Sequence, residues 1–252
     1  MIIKNTDLEF GDIKYWCQFI GSVRSGHTLV SQIINAHKDA LISDELGATR
    51  LFNKGVSRDK LFHAVNIRAD SYFRGGNKTW TNRYSIGCSQ NKTKRPKVIG
   101  DKLCGGDTTK FADKKYLERY IKHIGVPFKF IWVIREPQQH VNGKQSLAIG
   151  AKVKAYYTIE SNIEVFKRQK AICLDIEKTH DVLRVYLDDL IADKENQIKR
   201  ILDYLELDYD ENHIKTCSDF IFEKPHTHNV EWSDEQLAMI QDDIDWYKNR
   251  TR

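Results

Sequence analysis

Apolar runs of strand length alternate along this chain with stretches in which apolar residues recur every three to four positions. That alternation predicts βαβ units wound around a parallel sheet. Tyr15 to Val23 reads as a buried strand, and His27 to His37 as a helix with Leu29, Ile33 and Ile34 on one face. Ala40-Leu-Ile42 and Val98 to Asp101 read as short strands, and Phe128 to Arg135 gives the strongest strand pattern of the chain. Between the last two, Asp107 or Thr108 is placed to cap a helix carrying Leu117, Tyr120, Ile121 and Ile124, which stops at Gly125 before Pro127.

Pro137 suits the first turn of a further helix, where its missing N–H costs nothing. Ile159 to Lys178 continues as helix, Val182 to Tyr186 as strand, and Ile198, Ile201, Leu202 and Leu205 mark another amphipathic helix. Ser233-Asp-Glu-Gln236 is a capping box that opens a last helix, with Leu237, Ile240, Ile244 and Tyr247 on its inner side. Two stretches, roughly 70–97 and 217–232, lack either period and read as loops.

The 252 residues suffice for one α/β domain with a central parallel sheet covered by helices on both faces. Hydrophobic residues at 40% and charged residues at 30% describe a water-soluble globular chain. With no long apolar span and no signal-peptide core at the start, a cytoplasmic protein without a membrane partner is expected. The five cysteines are scattered without a C-x-x-C pair, so they are expected as reduced thiols rather than a disulfide framework or a metal site. Net charge is only +5, but from Ser71 to Gly100 there is no acidic residue, while Arg74, Lys78, Arg83, Lys92, Lys94, Arg95 and Lys97 fall there. That stretch is either a solvated loop or a face for an anionic partner.

Candidate chemistry begins at Gly21-Ser-Val-Arg-Ser-Gly-His-Thr28, which follows a strand and opens a helix. Amides at a helix N-terminus, aided by the helix dipole, hold anions. The spacing is that of an ATP-binding P-loop with His27 where the lysine belongs. Phosphoryl transfer needs that lysine on the terminal phosphates, so the histidine argues against a nucleoside triphosphatase, and Arg24 inside the loop offers a different cation. A second signal is Arg135, closing the strand Phe130-Ile-Trp-Val-Ile-Arg-Glu-Pro137 at the carboxyl edge where ligands of such sheets collect.

These motifs resemble those of the PAPS-dependent sulfotransferases (PAPS is 3′-phosphoadenosine 5′-phosphosulfate). Arg24-Ser-Gly-His-Thr-Leu29 with Asn35-Ala-His37 looks closest to the tyrosylprotein branch. The resemblance implies the sulfotransferase fold, PAPS as donor co-substrate, no metal, and a 5′-phosphosulfate held by Arg24, Ser25, Gly26, His27 and Thr28. It implies Arg135 as the 3′-phosphate ligand; the family's serine eight residues on is Gly143 here, with Ser146 and the adjacent Asn142 as replacements. In the tyrosylprotein branch a glutamate in the register of Glu45 is the general base, with Asp44 as the fallback here, and Lys102 resembles the lysine that contacts the transferring group. Lys224-Pro-His-Thr-His228 looks like the loop that closes over the nucleotide. Val185-Tyr-Leu-Asp-Asp-Leu190, Tyr204-Leu-Glu-Leu207 and Trp232-Ser-Asp-Glu also resemble family runs. His63, His123 and His140 have no distinguishing context as alternative bases, and His226 and His228 alone make a poor metal site.

The expected acceptor is a small molecule with a hydroxyl or amine, selected by loops between Asp44 and Lys97. No nucleic-acid partner is expected, and a homodimer stays open. The rival readings are a P-loop kinase of a small metabolite using ATP and magnesium, and a non-enzymatic binder of nucleotides or nucleic acid built on the basic stretch with Tyr72, Phe73, Trp80 and Tyr84 for stacking.

Overall fold

A computed structural model of the chain describes residues 8–73, 86, 92–150, 158–224 and 229–250. Five parallel strands, β1 (Tyr15–Ile20), β2 (Ala40–Asp44), β3 (Val98–Lys102), β4 (Phe128–Ile134) and β5 (Val182–Tyr186), form one sheet in the order β2-β3-β1-β4-β5. The helices are α1 (His27–Ala36), α2 (Ala48–Asn53), α3 (Arg58–Phe73), α4 (Gly106–Lys110), α5 (Lys114–Ile124), α6 (Pro137–Gly150) and α7 (Ile159–Glu177). They continue with α8 (Leu187–Ala192), α9 (Lys194–Tyr204), α10 (Glu211–Phe220) and α11 (Asp234–Lys248).

Alternate residues of a strand point to opposite faces, and both faces here are covered, so every strand reads as a nearly continuous apolar run. In β1, Cys17 and Phe19 enter a core shared with α1, α9 and α10. Trp16 and Ile20 enter the opposite core with Leu61 and Phe62 of α3, Tyr120 of α5 and Phe130 and Trp132 of β4. A smaller cluster of Val141, Ile159, Ile163 and Ile240 joins α6, α7 and α11. From β1 the chain goes out to β2 at one edge, returns through β3, and then crosses to β4 and β5 on the other side. The carboxyl end of β1 is therefore the point where the winding reverses, and a crevice opens there.

Several sequence expectations are corrected. The first strand ends at Ile20 instead of Val23, because Gly21 takes φ +104° and turns the chain into the loop. The helix expected from Asp107 or Thr108 is two helices, and Asp113 caps the second by accepting from the Tyr116 N–H at 3.2 Å. Helix α3 was not anticipated; its buried Leu61, Phe62, Val65 and Ala69 are interleaved with polar residues too densely to give a clear stripe. The stretch from Cys217 begins inside α10, whose last turn it supplies. The capping box at Ser233 and Gln236 is present as expected. Cys17, Cys104, Cys173 and Cys217 are free and buried; Cys88 lies outside the described residues.

Candidate active site

The phosphate loop runs from Gly21 to Gly26, between the end of β1 and the first turn of α1. Three of its residues are left-handed: Gly21 (φ +104°), Arg24 (φ +74°) and Gly26 (φ +102°). Glycine is required at Gly21 because a Cβ there would lie 2.7 Å from the Trp132 ring. Arg24 accepts the same conformation without that freedom, a local strain of the kind that marks functional loops. Thr108 clasps the loop's entry: its Oγ1 accepts from the Gly21 N–H (2.9 Å) and donates to the Gly21 carbonyl (3.1 Å), which also accepts from the Gly105 N–H (2.8 Å).

His27 is buried beneath the loop. Its Nε2 lies 3.0 Å from the Ile20 carbonyl and must carry the proton, leaving Nδ1 to accept from the Cys104 thiol at 3.5 Å. Burial drives its pKa down to about 4, so the ring is neutral. Both ring nitrogens are committed to the protein, which leaves the backbone amide of His27, and not its side chain, for an anion.

At the next strand ends, Lys102 and two carboxylates converge. The Lys102 ammonium sits 2.6 Å from Asp44 Oδ1, 3.0 Å from Glu45 Oε1 and 3.3 Å from Thr28 Oγ1. Side-chain exposure separates the two acids, at 12% for Asp44 and 61% for Glu45 against 5% for Lys102. Asp44 is the inward counter-ion, and Glu45 faces solvent. Burial opposes the Lys102 charge, but Asp44 and Glu45 outweigh it and hold its pKa above the ordinary lysine value.

Glu45 is itself left-handed (φ +52°), and the turn that carries it is fixed by Asp101. The fully buried Asp101 carboxylate accepts from Ser43 Oγ (2.8 Å) and from the amides of Leu46 (3.0 Å), Gly47 (2.9 Å) and Ala48 (2.8 Å), so it caps α2 from a neighbouring strand. Burial pushes its carboxyl up to about 6, against the pull of the Ala48 amide and Ser43.

Arg135 emerges at the end of β4 and donates to the Arg24 carbonyl at 3.5 Å. Burial, then the charge of Arg24, lowers its pKa. The buried Nε of Arg24 has no hydrogen-bond partner among the described residues. Arg24 and Arg135 at the loop and Lys102 beside Thr28 thus border one helix N-terminus at the carboxyl edge, and the Arg24 Nε donor is unsatisfied among the described residues. This arrangement fits a ligand with phosphate-like groups.

The remaining site candidates are less converged. Gly143 is buried within α6. Ser146 Oγ donates to the Asn142 carbonyl (2.9 Å), and Asn142 Oδ1 accepts from Trp232 Nε1 (2.8 Å). Lys224 is exposed just beyond α10, while His226 and His228 lie outside the described residues. Of the basic stretch, Lys92 donates to the carbonyls of Asn35, His37 and Ala40, and Lys97 pairs with Asp39 and Asp208 at 3.2 Å each. Arg74, Lys78 and Arg83 lie outside the described residues, as do Trp80 and Tyr84. Among the described residues no group of His, Cys, Asp and Glu has a metal-binding arrangement, and no helix is long and apolar enough to cross a membrane.

No protein-family model matches the chain, and no curated protein matches it in sequence. Solved structures do match. The sulfotransferase domain of the olefin synthase of Synechococcus PCC 7002 superposes with a TM-score of 0.57 at 16% identity, over 97% of this chain and 99% of that one. This chain has the sulfotransferase fold. The sulfotransferase domain from the curacin biosynthetic pathway gives 0.54 at 10% identity over 92% and 98% of the two chains. A sulfotransferase from Mycobacterium avium gives 0.52 at 10% identity over 96% and 78%. At such identities the sulfotransferase fold fixes the architecture, and the chemistry must be argued from the side chains.

Three residues have roles that the sequence pattern did not give: Thr108, read there only as a possible helix cap, Asp101, read as the end of a strand, and His140, named only as a base without distinguishing context. Each works through a partner distant in sequence, 87 residues for Thr108 and Gly21, 53 for Asp101 and Ala48, and 118 for His140 and Ser22. Spacing along the chain carried no signal for any of them.

Proposed function

We propose that this chain is a sulfotransferase that takes a sulfuryl group from PAPS and passes it to a hydroxyl or amine of a small-molecule acceptor, releasing 3′-phosphoadenosine 5′-phosphate. The observation that carries this reading is the meeting of Thr28, from the first turn of α1 just after the phosphate loop, and Glu45, from the end of β2, on the single ammonium of Lys102. An anion-binding loop, a buried cation and an exposed carboxylate are thereby within reach of one reacting group.

The donor supplies a sulfuryl group joined to a phosphate that leaves readily. The acceptor oxygen or nitrogen bonds to sulfur, the bond from sulfur to the bridging phosphate oxygen breaks, and the electron pair stays with the phosphate. Glu45 takes the acceptor's proton. Negative charge grows on the departing phosphate oxygen, and Arg24 and Lys102 are the cations placed to stabilise it. Asp44 stays paired with Lys102 throughout, so that Glu45 is free to turn to the acceptor. The loop amides from Arg24 to Thr28 hold the 5′ end of the nucleotide and Arg135 its 3′-phosphate. Lys224 borders the loop expected to close over it, and Ser146 reaches the 3′-phosphate only by giving up its bond to the Asn142 carbonyl.

A kinase is the second reading, and His27 speaks against it. A neutral imidazole bonded at both nitrogens supplies no charge to a terminal phosphate. Calorimetric titration with 3′-phosphoadenosine 5′-phosphate, and separately with ATP and magnesium, tests the choice. Tight binding of the first alone supports the sulfotransferase, and binding of ATP alone overturns it in favour of phosphoryl transfer.

A further inference from the structure

We propose that His140 is a positioning residue: its ring, held between the Ser22 and Ser25 hydroxyls, sets the shape in which the phosphate loop receives the 5′-phosphosulfate end of the donor. The inference rests on the reading of that loop as the donor's 5′ site.

Hydrogen bonding assigns the state of the ring. Ser25 Oγ has one proton, and it points to the Ser22 carbonyl at 2.8 Å. Toward His140 Nδ1, 3.1 Å away, Ser25 can then only accept, so Nδ1 carries a proton. The ring is fully buried, and after burial itself the nearby charges of Lys144 and Arg135 hold its pKa well below the usual histidine range. It is therefore neutral, Nε2 is bare, and Ser22 Oγ donates to it at 2.9 Å. A closed circuit results: Ser22 hydroxyl to Nε2, Nδ1–H to Ser25 Oγ, and Ser25 hydroxyl to the Ser22 carbonyl.

This circuit has two consequences for the site. Both serine hydroxyls are consumed inside the protein, so Ser25, expected from the sequence among the residues that hold the 5′-phosphosulfate, offers its amide and not its hydroxyl. The loop is also tied twice to the segment that runs from the end of β4 into α6, by the bond from Arg135 to the Arg24 carbonyl and by His140 of α6. Helix α6 is in turn steadied at its start by Glu136, whose carboxylate accepts from the amides of Gln138 (3.2 Å) and Gln139 (2.7 Å). Phe166 of α7 packs against the His140 ring with centroids 5.2 Å apart and limits its rotation. Arg24, the one left-handed residue of the loop that is not glycine, keeps that backbone only if its surroundings over-determine it, and His140 contributes to the constraint through Ser22 and Ser25.

The test compares His140→Leu, which removes both bonds, with His140→Asn, whose amide N–H stands where Nδ1–H stood. Affinities are measured for 3′-phosphoadenosine 5′-phosphate and for adenosine 3′-phosphate, which lacks the group that reaches the loop. His140→Leu is expected to weaken the first by roughly tenfold to a hundredfold and the second by less than about twofold, with His140→Asn recovering most of the loss. Equal losses for both ligands would mean that the residue only supports the fold, and would overturn the proposal. If the leucine variant does not fold, His140→Asn and the native protein decide the matter by nitrogen-15 NMR. The native ring must show a protonated Nδ1 and a bare Nε2, and the reverse tautomer or a charged ring overturns the proposal. If the native protein binds neither nucleotide, the donor reading falls on its own. The same variants are then compared with inorganic sulfate as the probe, and an unchanged sulfate affinity in His140→Leu overturns the positioning role.

Discussion

Glu45 and Asp44 are adjacent acids that share one lysine, yet their surroundings give them different work. Asp44 is enclosed with Lys102 and cannot leave without stranding a buried ammonium, which is costly. Glu45 is mostly exposed and loses little by letting go. Glu45→Gln is therefore expected to lower kcat by about 10²- to 10⁴-fold, while the affinity for 3′-phosphoadenosine 5′-phosphate, measured by calorimetry, stays within error. Undiminished turnover would remove Glu45 from the mechanism. At this scale the placement of Glu45, Lys102 and Arg135 was legible because each is a charged residue closing an apolar run that marks a strand end, and that of Arg24 because it sits inside the glycine-bounded loop Gly21 to Gly26. His140 was not legible, since an isolated histidine inside a helix acquires meaning only from the two serines that the fold brings to it.

Among the elements, the turn from β2 into α2 owes its shape to a residue of β3. Asp101 supplies the acceptor that an N-cap side chain would ordinarily provide, and Gly47, which occupies the N-cap, has no side chain to do so. Asp101→Asn keeps the volume but turns an N–H donor toward amides that also donate. The expected result is a loss of about 1–3 kcal/mol in stability, read as a lower melting temperature. Turnover should fall further than nucleotide affinity, because Glu45 rides on that turn; an unchanged kcat would show that the turn holds itself. The elements that the sequence displayed well were those with an unbroken apolar run, such as β4, or with an explicit start signal, such as α1 after its glycine-bounded loop and α11 after its capping box. Helix α3 and the break between α4 and α5 were hidden, the first by a diluted stripe and the second because α4 has no apolar residue to show a period of its own.

Across the whole molecule, the crevice is built by burying ionisable groups, and stability must follow pH accordingly. His27, driven to about 4, and His140, driven well below its ordinary value, stay neutral in the folded chain while the unfolded chain takes up protons below about 6.5. Their contribution is intact above that pH and is lost as pH falls toward 4. Asp101, raised from 3.8 to about 6, acts in the opposite sense, since ionising it as pH rises through that window disfavours the fold. Two histidines outweigh one aspartate, so the melting temperature is expected to drop between pH 6.5 and 4.5, and less steeply in His27→Gln. A flat profile in the native protein would mean that these rings are not held neutral.

The left-handed backbone of Arg24 reaches beyond its proposed role at the donor to the ways in which the chain can change. Glycine at that position relieves the strain at no steric cost, and a relieved loop is worth on the order of 1 kcal/mol. Directed evolution for heat tolerance alone is expected to recover Arg24→Gly, and a screen for sulfate transfer to discard the same clones. Which of the two residues a library retains would show which selection had shaped the loop.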